Sequence, residues 1–202
     1  CANNVTALHL SCRHNRTEVV SKLIAAKANV ESRTRSGITP LLVAVEEGCL
    51  SAIDLLCDAG VNASASDTHE RSPLTIAAER GCVEVISRLL AASADVNHFN
   101  SLGQSVLTVA CSFGHAAAVS LLLQHKADGT LHHPDIRATK RGIDTPLIAA
   151  CRANDLEVVN LLLAAGVSAN HRPPLNDACA NLDPWSPLIE AAGNGRDAIV
   201  AA

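Results

Sequence analysis

Six segments of this chain align without gaps: "VTALHLSCRHN" (5–15), "ITPLLVAVEEG" (38–48), "RSPLTIAAERG" (71–81), "QSVLTVACSFG" (104–114), "DTPLIAACRAN" (144–154) and "WSPLIEAAGNG" (185–195). Thr or Ser recurs at positions 6, 39, 72 and 105, a spacing of 33 each time. It recurs again at Thr145 and Ser186, after 40 and 41 residues, so extra segments of 7 and 8 residues interrupt the register twice. Two places after each Thr or Ser stands a leucine: Leu8, Leu41, Leu74, Leu107, Leu147 and Leu188. A fixed period of this length describes one small supersecondary unit copied along the chain. Each copy is too small to bury its own apolar face, so the core must form between copies.

The physics of one copy is legible. Thr or Ser followed by Pro starts a helix, with a hydroxyl cap and a residue preset for the first turn. "PLTIAAERG" then makes a short helix that Gly81 ends. A second helix follows, as in "VEVISRLLAAS" or "LEVVNLLLAAG", with apolar residues at helical spacing. A polar turn such as "ADVNHFNSLG" carries the chain to the next copy. The register predicts an all-α solenoid of helix-turn-helix units joined by β-hairpin-like loops. Its units are 1–33, 34–66, 67–99, 100–132, 140–172 and 181–202, with insertions at 133–139 and 173–180, all in a single domain. The last copy stops inside its second helix at the apolar "DAIVAA", which suggests a fragment of a longer chain.

These residues resemble the ankyrin repeat, with its T-P-L-H-x-A-A-x-x-G run, second helix and D-V-N hairpin. The motif's His stands only at His9, where the resemblance implies a tie between neighbouring turns. Leu42, Thr75, Thr108, Ile148 and Ile189 replace it elsewhere, and Pro is missing at Ala7 and Val106. The resemblance implies a partner protein bound in a concave groove lined by hairpin tips and the exposed side of the first helices.

Composition narrows the function further. The uncharged run from Val96 to His125 includes an apolar window over 106–123, but Gly114 interrupts it and the repeat register accounts for it, so no membrane span is expected. Net charge is −4, and no basic stripe alternates with aromatics, which argues against nucleic acid. The eight cysteines form no CxxC pair, and the expectation is a reduced core in an intracellular, cytoplasmic or nuclear compartment. No nucleotide-binding, zinc-protease or nucleophile-elbow motif is present, so neither catalysis nor a cofactor is expected. The best metal candidate, His132 and His133 with Asp135, reads more simply as a solvated loop.

What remains is surface. The positions before each Thr or Ser, before each helix-ending Gly, and in the turns between copies are the candidate partner-binding set. In the early units these are Arg35, Glu46, Glu47, His69, Arg71, Glu79 and Arg80, with Arg13, His14 and Arg33 at related positions. In the fourth unit they are Phe99, Leu102, Gln104 and Phe113, which carry no formal charge. The later units add His125, Arg141, Asp144, Arg152 and Trp185, with Arg172 nearby. All three aromatics of the chain fall in this set, and its basic side chains are Arg rather than Lys. Aromatic residues and Arg are the types enriched at protein interfaces. The expectation is therefore a monomeric, non-catalytic scaffold or adaptor module that binds a protein with apolar and acidic contact groups. The alternatives are a targeting segment of a larger multidomain enzyme and a cytoskeletal or organelle tether.

Overall fold

A computed structural model describes residues 3–131 and 145–170. Ten α-helices and no strand are present among the described residues: α1 (Ala7–Arg13), α2 (Thr17–Ala25), α3 (Pro40–Glu46), α4 (Leu50–Asp58), α5 (Pro73–Glu79), α6 (Val83–Ala91), α7 (Val106–Ser112), α8 (Ala116–Gln124), α9 (Pro146–Ala153) and α10 (Leu156–Ala164). The architecture is the all-α repeat solenoid that the period predicts. The sixth copy, including Leu188 and Ile189, and both insertions lie outside the described residues, as does the His132, His133 and Asp135 cluster.

Local chemistry sets each first helix. Thr6, Thr39, Ser72, Ser105 and Thr145 are its N-caps, in extended backbone, and each hydroxyl accepts the N–H three residues on. Such a cap stabilises a short helix by about 1 kcal/mol. Pro40, Pro73 and Pro146 occupy its first turn. A left-handed residue then ends it, at Asn15, Gly48, Gly81, Gly114 and Asn154, with φ between 49° and 71°. Asn does at two of these places what Gly does at the other three, because its short polar side chain tolerates this conformation.

The chain divides into two compact units, Cys1–His98 and Phe99–Ala202. In the first, α1 packs on α3 and α3 on α5, while α2 packs on α4 and α4 on α6. First helices form one layer and second helices the other. In the second unit α7 packs on α9 and α8 on α10. The recurrent Leu8, Leu41, Leu74, Leu107 and Leu147 are all buried, as are Leu56, Leu89, Leu122 and Leu162 of the second helices. Burying one such side chain is worth about 2 kcal/mol.

Cys12, Cys111 and Cys151 occupy one repeat position, buried like Val45 and Ala78, which stand there in the other copies. The six described cysteines are free thiols. Burial, with Cys49 nearby, pushes the Cys12 thiol up to about 12. Burial, with the Asp155 carboxylate as a lesser cause, also raises that of Cys111. These thiols act as small apolar core residues. Among the described residues no helix is long and apolar enough to cross a membrane. The uncharged run is split between α7 and α8, of seven and nine residues, by Gly114.

Candidate functional site

Each repeat turns on one polar residue, and these lie 33 apart: Thr34, Asp67 and Asn100. Thr34 Oγ1 accepts the N–H of Ile38 at 3.1 Å. Asp67 Oδ1 accepts those of His69 at 2.8 Å and Arg71 at 3.0 Å. Asn100 Oδ1 accepts those of Leu102 and Gln104, both at 3.0 Å. Backbone pairs close the same loops, from Asp67 N–H to the Arg71 carbonyl at 3.1 Å and from Asn100 N–H to the Gln104 carbonyl at 3.0 Å. An isolated antiparallel bridge joins Phe99 to Ser105. The polar side chain thus fixes each tip, and the residues beside it project from a set frame.

Asp67 is itself buried. Burial pushes its carboxyl up, but the backbone N–H and guanidinium of Arg71 and the N–H of His69 outweigh that and hold it below the usual carboxylate range. Arg71 closes the arrangement, with Nε at 2.9 Å and Nη2 at 2.8 Å from Asp67 Oδ2.

The first unit's candidate residues fall into two groups. Arg71 and Arg80 are committed internally: Arg71 clamps Asp67, and Arg80 Nη1 donates to the Glu46 carbonyl one repeat earlier. Those donors are engaged within the fold, while Arg80 remains exposed and Arg71 half-buried. Arg13 and Glu47 pair loosely at 3.9 Å, and Arg33 Nη1 donates to the Ser66 carbonyl at 2.8 Å. Arg35 and His69 are exposed at adjacent tips, and Arg35 has no ion-pair partner among the described residues. Glu79 is exposed at the end of α5, and Glu46 is half-buried at the end of α3.

In the second unit Leu102 sits at the hairpin tip, 60% exposed, and Phe113 is the C-cap of α7, 55% exposed. Leu102 lies in the hairpin that leads into α7, and Phe113 at the far end of that helix. The Phe113 ring stacks on His115, with centroids 6.1 Å apart and planes at 8°. The stacked pair forms a flat ledge at the turn between α7 and α8. Phe99 and Gln104 are half-buried, and Asn100 Nδ2 donates to Gln104 Oε1 at 3.2 Å. Arg152 is half-buried near the end of α9. His125 is the C-cap of α8, where the turn toward the next copy begins. Arg141, Asp144, Arg172 and Trp185 lie outside the described residues.

Other ties between copies join residues far apart in sequence. Arg88 of α6 pairs with Asp54 of α4 at 2.5 Å. The Asn62 N–H donates to Glu31 Oε1 at 2.6 Å, and the Asp95 N–H to Ser64 Oγ at 2.9 Å. His9 is buried and makes the tie expected of it. Its Nδ1 accepts the Thr6 N–H at 3.2 Å, which leaves Nε2 as the protonated nitrogen, donating to the Ile38 carbonyl at 2.9 Å. Ser72–Thr75 and Ser105–Thr108 hydroxyl pairs stay within their own copies. Among the described residues no group of three or more His, Cys, Asp or Glu side chains could hold a metal ion.

Sequence comparison decides the family. The profile described as "Ankyrin repeats (3 copies)" matches residues 1–67 and 59–133, and "Ankyrin repeat" matches 144–173. The chain belongs to the ankyrin-repeat family. Ankyrin repeats are in general protein-protein interaction modules and are typically non-catalytic. Curated relatives include the human "Ankyrin repeat and KH domain-containing protein 1", 44% identical over 63 residues, 31% of this chain and 2% of that protein. The Drosophila melanogaster protein "mask" of the same description is 42% identical over 64 residues, 32% of this chain and 2% of that one. Caenorhabditis elegans "mask-1" is 41% identical over 68 residues, 34% and 3% respectively. The matched segment is thus a small fraction of each relative's length.

Proposed function

We propose that this ankyrin-repeat chain is a non-catalytic module that binds another protein, and that the surface flanking α7 is a principal contact. The observation that carries the proposal is the placement of Leu102 and Phe113. In a chain with three aromatic residues, one stands more than half exposed at the end of α7, and a leucine stands exposed in the hairpin that leads into that helix. Neither contributes to the core, so packing gives no reason to keep them apolar. A partner segment lying along α7 would meet Leu102 at one end and the Phe113–His115 ledge at the other. In the first unit Arg35 and His69 offer unshared donors at neighbouring tips, which suits a carboxylate-bearing partner. The free thiols support action in a reducing compartment.

Replacing Leu102 and Phe113 together by Ser tests this reading. Partner recovery is expected to fall at least about tenfold, the consequence of losing an apolar anchor, with thermal stability nearly unchanged. Unchanged recovery with an intact fold contradicts it. A second reading, a recruiting segment within a larger multidomain protein, is favoured by relatives whose names join ankyrin repeats to a KH domain and of which the match covers 2–3%. It predicts that deleting residues 99–131 from the full-length protein redirects its activity without abolishing it.

A further inference from the structure

Gly114, between the stacked residues Phe113 and His115, is met by a carboxylate from the next copy. A Cβ built on Gly114 would lie 2.8 Å from Asp155 Oδ2, whereas nothing stands within 4 Å of that point on Gly48, the equivalent residue two copies earlier. Gly leaves room for the oxygen beside the turn that any side chain would take. Asp155 is the N-cap of α10, and its Oδ1 accepts the Val158 N–H at 3.1 Å. The second helices α2, α4, α6 and α8 start from Arg16, Cys49, Cys82 and His115, none of which makes a side-chain cap bond. Among the described residues Oδ2 accepts no hydrogen bond, and Asp155 has no ion pair. Arg152, half-buried near the end of α9, does not pair with it.

Phe113 adds a second element to the same turn. His115 can cover only one face of its ring, and the residue is 55% exposed. From Val96 to His125 the chain has no Asp, Glu, Lys or Arg, so that run holds no cation to occupy the ring or the carboxylate. An aromatic face beside an unshared carboxylate oxygen is complementary to a planar cation. The ring's negative face attracts the charge, and the oxygen accepts an N–H in a charge-assisted hydrogen bond. A guanidinium does both at once, because it stacks flat while donating in its own plane. An ammonium is a strongly hydrated point charge that cannot stack.

We propose that Phe113 and Asp155 together seat an arginine side chain of the partner protein, with His115 backing the ring. The proposal rests on the reading that the surface flanking α7 meets a protein, and it names the chemistry of one residue of that partner.

N-acetyl-arginine amide and N-acetyl-lysine amide, matched for ionic strength, are the probes, and backbone amide shifts of the isotope-labelled 202-residue chain are the readout. Arginine amide is expected to shift residues 113–115 and 155 saturably, with half-saturation at least about threefold below that of lysine amide. Asp155→Asn keeps the cap, since Asn caps helices as well as Asp does, and Phe113→Leu keeps an apolar side chain while removing the ring. Each is expected to raise the half-saturation for arginine amide by at least about threefold. No saturable shift, an equal response to both amides, or a half-saturation that either substitution leaves unchanged overturns the proposal. Partner recovery separates the seat from the apolar contact. Loss in the Leu102 and Phe113 serine variant, with full recovery in Phe113→Leu and Asp155→Asn, would leave that contact standing and overturn the arginine seat.

Discussion

Gly129 and Val167 make a prediction about packing between copies that can be worked from distances. A Cβ built on Gly129 would lie 2.3 Å from Val167 Cγ2 and 3.7 Å from its Cβ. Carbon atoms rest at about 3.5–4.0 Å, so Gly129→Ala demands more than roughly 1 Å of relief. Val cannot supply it by rotation, because its branched side chain has few χ1 choices, and the shift falls on the backbone. The expected cost is about 1–3 kcal/mol. Gly129 does not have left-handed φ, so the cost is one of packing alone. Val167→Ala removes the obstructing methyls and costs roughly 1.6 kcal/mol by itself from the two groups no longer buried. In that background Gly129→Ala should be nearly free. One equivalent pair in the first unit is Ala63 with Ala94, both buried, so an Ala–Ala pair has a natural precedent. Urea denaturation of the four chains, followed by circular dichroism, gives the coupling energy, expected at about 1–3 kcal/mol in favour of the double variant. A cost for Gly129→Ala that is the same in both backgrounds, or no cost in the native one, would refute the reasoning.

Three further outcomes follow from the site's geometry. Asp67→Asn should cost less than about 1 kcal/mol, because Asn100 fixes the next hairpin the same way, whereas Asp67→Ala should cost about 2 kcal/mol by orphaning the His69 and Arg71 N–H groups; denaturation midpoints compare the two. Since the Asp67 carboxyl titrates lower when folded than its ordinary 3.8, its contribution is present above that pH and is lost as pH falls below it, which a native-state acid titration of the wild type against Asp67→Asn would reveal. His9→Leu should lower stability by about 1–3 kcal/mol, because the Thr6 N–H loses its acceptor and the Ile38 carbonyl keeps only its bond from the Thr34 N–H, with faster exchange confined to the first repeats. The raised Cys12 and Cys111 thiols keep protons that the unfolded chain releases above its ordinary 9.0, so stability is full below that pH. It should then fall by about 1.4 kcal/mol per pH unit per thiol as pH climbs toward 12, and Cys12→Ala with Cys111→Ala should flatten the curve.

The period, the hydroxyl caps and the buried leucines were legible because each rests on residues close in sequence or on a spacing that repeats. The internal use of Arg71 is legible too, as an i,i+4 pair with Asp67, although a position in a turn suits an internal pair and a partner contact alike. Arg80 was harder. Its acceptor is the Glu46 carbonyl, and a backbone acceptor leaves no mark on side-chain pattern. Stacking places residues about one period apart side by side, and three ties fall at a separation of 34: Arg13 with Glu47, Glu46 with Arg80, and Asp54 with Arg88. Opposite charges one residue beyond the period would have exposed the Asp54–Arg88 pair on the outer layer. The Phe113–His115 stack depended on the direction of two side chains across Gly114, which no spacing rule encodes.

The most direct test of the interaction surface places a photo-crosslinking amino acid at position 102, 113, 22 or 157 and identifies the partner joined to each. Lys22 and Glu157 are exposed on second helices and serve as the comparison. The account predicts one partner protein captured from positions 102 and 113 and not from 22 or 157. Capture of that partner from 22 or 157 with none from 102 and 113 would contradict it.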